Sequence, residues 1–190
     1  MRKRTVGIGI LAASCVAAIG AFWVVPPLKL AAPTLFGTHC SGRVCTELPE
    51  DLPEASALIA AAMADVEAQT GLPLPSLNTV LCRTDVCYRR FGGGDERAIS
   101  YPFLGAVIAG HSWQSYISRH EMIHWLQFEH FGAIETMKLP IWFREGMAYA
   151  LSGAPDSDIP EPFKPWTQQY LDWQGERSPT SVFSAQPALD

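Results

Sequence analysis

Beyond its first four residues the chain has no basic cluster. Setting Arg2, Lys3 and Arg4 aside from the fourteen lysines and arginines leaves eleven, against nineteen aspartates and glutamates, a net charge of −8. A surface of that sign without a basic stripe argues against nucleic acid and anionic lipid headgroups as partners of this part of the chain. Phosphate loops are missing as well. Gly92-Gly93-Gly94-Asp95 is a glycine-rich turn, but no Gly-Lys-Ser/Thr follows it. No internal repeat is apparent, and charged residues make up only 17% of the chain while 48% are hydrophobic, a balance suited to a globular domain.

Charge is missing altogether from residues 5–25, directly after the basic start. An apolar run of that length spans a bilayer core of about 30 Å, and basic residues ahead of it hold the N-terminus in the cytoplasm. The run ends in Phe22-Trp23-Val24-Val25-Pro26-Pro27, bulky residues that suit an interfacial anchor better than a signal cleavage site. Residues 1–28 are therefore expected to form a membrane anchor with the domain outside the cytoplasm. Secretion after cleavage is the alternative. Cys15 sits inside the run and reads as a small membrane residue.

The other four cysteines fall into two pairs of equal spacing, Cys40 with Cys45 and Cys82 with Cys87. Outside the cytoplasm such pairs read as disulfides, each closing a short loop. Other pairings, or one structural zinc held by all four, stay open at this point. Residues 77–82 and 86–91 look like two strands joined near the second bridge. An apolar stripe through Ala55, Leu58, Ile59, Ala62, Met63, Val66 and Ala68, closed by Gly71, predicts a helix over residues 53–70. Residues 98–101 and 105–109 are short strand candidates.

The chemistry is concentrated in His120-Glu121-Met122-Ile123-His124, an H-E-x-x-H sequence. On a helix the two histidines lie one turn apart on the same face and can reach one metal ion, while Glu121 is rotated about 100° from His120. A carboxylate then stands beside the metal without being a ligand. A bound Zn²⁺ brings the pKa of its water to roughly 7 and polarises a carbonyl, and Glu121 can serve as general base. The helix is expected over residues 113–130, capped by Ser112 and ended by Gly132, with Ile117, Ile123, Leu126, Phe128 and Phe131 as its anchors.

An open zinc site takes three protein ligands, so one more is needed. His130 stands at the spacing of H-E-x-x-H-x-x-G-x-x-H, but Gln127 occupies the glycine position and is a good helix former. On a continuous helix His130 would lie about 9 Å along the axis and roughly 120° round from His124. The other candidate is Glu145, in Pro140-Ile141-Trp142-Phe143-Arg144-Glu145-Gly146-Met147-Ala148, where Pro140 can open a helix with an apolar side at Trp142, Phe143, Met147, Ala150 and Leu151.

With these two motifs the chain resembles the gluzincin branch of the zincin-like metallopeptidases, in particular peptidase-MA-like domains whose second motif reads P-x-W-F-x-E-G-x-A. The likeness covers about residues 99–153. It implies His120, His124 and Glu145 as zinc ligands, Glu121 as general base, and the strand at residues 105–109 as the edge that pairs with an extended peptide. Several gluzincins place an aspartate one turn after the ligand glutamate; here Tyr149 stands there, a candidate for orienting a ligand histidine or stabilising the oxyanion, with Tyr170 a weaker candidate for the second role.

The expectation is an α+β domain of the zincin type with a small mixed sheet over residues 29–153, preceded by one transmembrane helix. A Pro- and acid-rich loop and C-terminal extension follow over residues 154–190, with an aromatic helix over residues 163–173 and weak order from residue 178. Its expected function is zinc-dependent hydrolysis of peptide bonds in a peptide or protein substrate. The alternative is a non-catalytic zinc-binding or partner-binding module on the same fold.

Overall fold

A computed structural model describes residues 24–185. Most of the expected membrane anchor lies outside the described residues, and among them no helix is long and apolar enough to cross a membrane. Five short strands, β1 (His39–Ser41), β2 (Val44–Thr46), β3 (Asn78–Leu81), β4 (Ala98–Tyr101) and β5 (Gly105–Ile108), form one sheet in the order β1-β2-β3-β5-β4. The inner pairs β2/β3 and β3/β5 are parallel and the outer pairs antiparallel. The expected α+β class with a small mixed sheet is what forms.

Alternation along the strands builds two cores. Leu81, Ala106 and Ile108 face helices α1 (Leu52–Thr70) and α3 (Ser115–Phe131), meeting Ala55, Ile59 and Val66 from the first and Ile117, Met122 and Leu126 from the second. Val80 and Val107 point the other way, onto Leu30, Phe36, Tyr88 and Phe91. That second core is closed by the chain at residues 26–36 and by α2 (Asp85–Arg90).

Helix α2 corrects the expected hairpin, since residues 86–91 are not a strand. Thr84 accepts from the Cys87 backbone N–H at 3.2 Å, Asp85 lies in the first turn, and Arg89 and Arg90 lie in the last. Cap and macrodipole thus outweigh the β preference of a short apolar run. Both disulfides form as expected: Cys40–Cys45 ties the β1/β2 hairpin and Cys82–Cys87 fastens the end of β3 to α2. With every one of these thiols bonded, a four-cysteine metal site does not form.

Two further corrections concern the surroundings of α3. The strand at residues 105–109 is interior, because β5 lies between β3 and β4; the edge is β4. Ser112 does not cap the helix: it sits in a separate turn and Gln114 occupies the cap position without a side-chain bond. The helix then runs unbroken through Gln127 and His130 to Gly132, whose φ of 83° lets the chain leave it.

After α4 (Ala133–Lys138), α5 (Ile141–Ser152) packs on α3, and α6 (Phe163–Gln174) packs on α5. Phe143 meets Tyr170 and Trp173 at ring separations of 5.9 and 4.8 Å. Against the expectation of weak order from residue 178, residues 179–183 are held in place: α7 (Pro179–Val182) docks on α1, and Val182 and Phe183 are buried; residues 186–190 lie outside the described residues. Each such buried side chain contributes on the order of 2 kcal/mol, enough to keep a short segment in place.

Close approach of α5 and α6 depends on Gly146, where a Cβ would stand 2.3 Å from the Trp166 carbonyl oxygen. Gly146→Ala is expected to destabilise the fold by about 1–3 kcal/mol, because backbone must shift to admit the methyl group. The midpoint of denaturant unfolding measures it.

Candidate metal centre

Helix α3 presents His120 and His124 one turn apart, and α5 crosses beneath them with Glu145. The two Nε2 atoms are 3.1 Å apart, and Glu145 Oε2 lies 3.6 Å from the first and 3.5 Å from the second. Three ligands about 2.1 Å from a tetrahedral ion are about 3.4 Å from one another, so these spacings are those of three corners of such a site. The fourth corner is not filled by a described side chain, and the group His120, His124 and Glu145 can hold a metal ion.

The orientation of His124 is fixed by a residue whose role the sequence did not reveal. Gln127, fully buried, places Oε1 2.8 Å from His124 Nδ1 and donates from Nε2 to the Arg144 carbonyl at 2.8 Å. A carbonyl can only accept, so the amide nitrogen must face it and the amide oxygen must face the histidine. Nδ1 then carries the proton and Nε2 turns its lone pair to the metal position. This is the usual support of a metal-binding imidazole, here supplied by a glutamine. A polar residue three positions after the second histidine, between Leu126 and Phe128 on a buried face, was the available signal.

Glu121 is buried next to the group and is not part of it. The Ser100 hydroxyl, on β4, lies 2.6 Å from Glu121 Oε2 and 3.1 Å from its backbone carbonyl. The shorter, charge-assisted contact takes its single proton. Ser100 was not singled out in the sequence, because only strand order brings it to α3. Tyr149 lies edge-on to His120 at a ring separation of 4.4 Å and lines the same cavity.

The remaining expectations are not brought to the group. His130 is exposed in the last turn of α3, beside Phe183, as an unbroken helix requires. Tyr170 is buried against Phe143 and lines neither cavity beside the group. Two cavities of about 260 and 390 Å³ share His120, Glu121, Glu145 and Phe163, forming one cleft past the group and along β4.

No family model, curated protein or solved structure matches this chain. The resemblance to peptidase-MA-like domains therefore rests on the two sequence motifs over residues 99–153 alone.

Without metal the three groups share charge. Burial disfavours the His124 imidazolium, but the Glu145 carboxylate outweighs it and raises the pKa from 6.5 to about 9. Burial alone would raise Glu145; His124, with His120 assisting, instead holds its carboxyl well below the usual range. Because the folded pKa of His124 exceeds its unfolded value of about 6.5, its contribution to stability is fully present below that pH and is lost as pH rises through 9. The metal-free protein is accordingly expected to show a falling unfolding midpoint between pH 6.5 and 9, and metal uptake at pH 7 to release protons, measured as a buffer-dependent heat of binding.

Three substitutions test the donor set and its support. Gln127→Ala is expected to weaken metal affinity by about 10- to 100-fold by freeing the His124 ring. His130→Ala should leave metal content unchanged, whereas Glu145→Ala should lose it; both are read by elemental analysis of folded protein.

Proposed function

We propose that this chain is a zinc-dependent metallopeptidase that hydrolyses peptide bonds outside the cytoplasm, tethered through its N-terminal segment. The observation that carries the reading is Glu121: a carboxylate buried beside a three-donor metal group, held by Ser100 and lining an open cleft. A purely structural metal site uses four protein ligands and needs no neighbouring base. Zinc suits two imidazoles and one carboxylate at these spacings.

His120, His124 and Glu145 would hold the ion, which when bound supplies an activated water and polarises the scissile carbonyl. Glu121 removes the proton from that water as it attacks and delivers it to the leaving amine. Ser100 keeps the carboxylate turned to the cleft. Gln127 keeps His124 in the tautomer that a ligand requires. Tyr149, against His120, is the candidate for stabilising the oxyanion.

β4 is the strand suited to hold an extended peptide, because its outer edge is unpaired among the described residues and it borders the cleft. Main-chain bonds along such an edge give affinity without strict sequence preference. Two disulfides in so small a domain suit an oxidising compartment, which agrees with the uncharged run at residues 5–25.

Glu121→Gln is expected to keep one metal ion per molecule and to lower peptide hydrolysis by at least about 100-fold, the usual scale for losing a general base. Zinc analysis beside turnover of a mixed peptide pool reads both quantities. Undiminished turnover in the variant, or a folded parent that binds no metal, would sink the reading.

A further inference from the structure

One wall of the smaller cavity is formed by Arg97, Tyr116, Pro160 and Phe163, which the chemistry above does not use, with Tyr149 beside them. Arg97 directly precedes β4, and its backbone carbonyl accepts from the Ala109 N–H at 3.0 Å, continuing the pairing of β4 with β5. Its Nη1 donates to the Tyr116 hydroxyl at 3.0 Å and its Nη2 to the Asp158 carbonyl at 2.8 Å. The head group is thus clamped between the first turn of α3 and the turn at residues 156–158.

A guanidinium has five N–H donors, of which these two contacts and a third to the Tyr149 hydroxyl leave two spare. Among the described residues no carboxylate forms an ion pair with Arg97. Asp158 instead accepts from the hydroxyls of Tyr116 and Ser157, both at 3.0 Å. Glu96 takes the Tyr88 hydroxyl and the Gly94 N–H, Asp95 lies 3.6 Å from Arg89, and Glu145 faces the histidines. Asp95, Glu96, Glu121 and Glu145 line the same cavity, but none bonds to Arg97; a half-buried cation with spare donors and no direct counter-ion favours an anion at its own end of the cavity, and a guanidinium fork matches a carboxylate best. The Tyr149 hydroxyl, which accepts from Arg97, has its own O–H to offer as a further donor on this wall.

Position along β4 says which end of a substrate meets this wall. A peptide pairing antiparallel with residues 98–101, the commoner and more stable arrangement, runs with its C-terminal end towards residue 98. The residues after the scissile bond then approach Arg97. A parallel peptide would bring its amino-terminal part to the guanidinium, which repels a free ammonium group.

We infer that Arg97, with Tyr116 and Tyr149 beside it, binds a carboxylate on the leaving-group side of the substrate, so that the preferred substrates are peptides cut close to a free C-terminus or next to an acidic residue. The cleavage part of this inference rests on the peptidase reading; the anion site does not.

The test uses the full chain loaded with Zn²⁺. Peptide pools of identical sequence, one with free C-terminal carboxylates and one amidated, are digested and the products read by mass spectrometry. The free-acid pool should be cut near its C-termini with kcat/KM at least 10-fold above the amidated pool. Arg97→Gln should remove that advantage mainly by raising KM, and Arg97→Lys should restore part of it. Cleavage of amidated peptides only where Asp or Glu follows the cut, again dependent on Arg97, supports the same site with a side-chain carboxylate as its ligand.

Equal cleavage with and without carboxylates, or a preference that survives in Arg97→Gln, overturns the inference while leaving the peptidase reading intact. If no peptide is cut, calorimetric titration of the same protein with acetylated dipeptides as acid and amide decides. At least 10-fold tighter binding of the acid, lost in Arg97→Gln, sustains the anion site and removes the peptidase reading. Equal binding of acid and amide overturns the site. Should Arg97→Gln fail to fold, equal treatment of the acid and amide forms by the parent is still decisive against it.

Discussion

The amide of Gln127 is the contact on which the arrangement of the metal group depends. It spans α3 and α5 at their crossing, with its oxygen on His124 and its nitrogen on the carbonyl of Arg144, the residue before Glu145. A buried amide left unsatisfied on either side costs about 1–3 kcal/mol, so the two helices can pack in only one register without that loss. The register that satisfies Gln127 is the one that carries Glu145 under the two histidines. Nearby, the Thr136 hydroxyl of α4 lies 2.8 Å from the Gly132 carbonyl and 3.0 Å from the Gln127 carbonyl, tying α4 to the end of α3. Polar satisfaction, more than apolar packing, therefore sets the geometry of the three donors.

Around that crossing the sheet and the C-terminal helices have separate tasks. β4 supplies Ser100 to Glu121 and an unpaired edge to the cleft, while the interior strands bury α1 and α3 on one face. α6 braces α5 from the side opposite α3, through Phe143, Tyr170 and Trp173, and its first residues form part of the cleft wall. The proline- and acid-rich stretch between α5 and α6 thus belongs to the site, since Asp158 and Tyr116 hold Arg97 there.

Much of this was legible in the chain because it depends on short separations. His120 and His124 share a helix face by spacing alone, Cys40–Cys45 and Cys82–Cys87 close loops of equal length, and α1 has an apolar stripe closed by a glycine. The α2 segment was misread because a capping threonine and end charges decide a six-residue helix, and an apolar alternation of that length cannot. The edge strand was misassigned because β4 and β5 are consecutive and similar, and only the insertion of β5 between β3 and β4 makes one of them the border. Ser100, Gln127 and Arg97 belong to no motif; each acquires its role from a partner at least on another turn or element.

By itself the sequence determined the helix that carries His120 and His124 on one face, Glu145 and His130 as candidates for a third donor, and the Glu121 carboxylate beside them, since these follow from helical periodicity and side-chain chemistry. The tertiary structure alone decided that Glu145 and not His130 completes the group, because that choice depends on whether α3 runs on past Gln127 and on where α5 crosses it. It also decided which residues stand behind the ligands. Buried hydrogen bonds are made between elements far apart in the chain, and no spacing within one element encodes them.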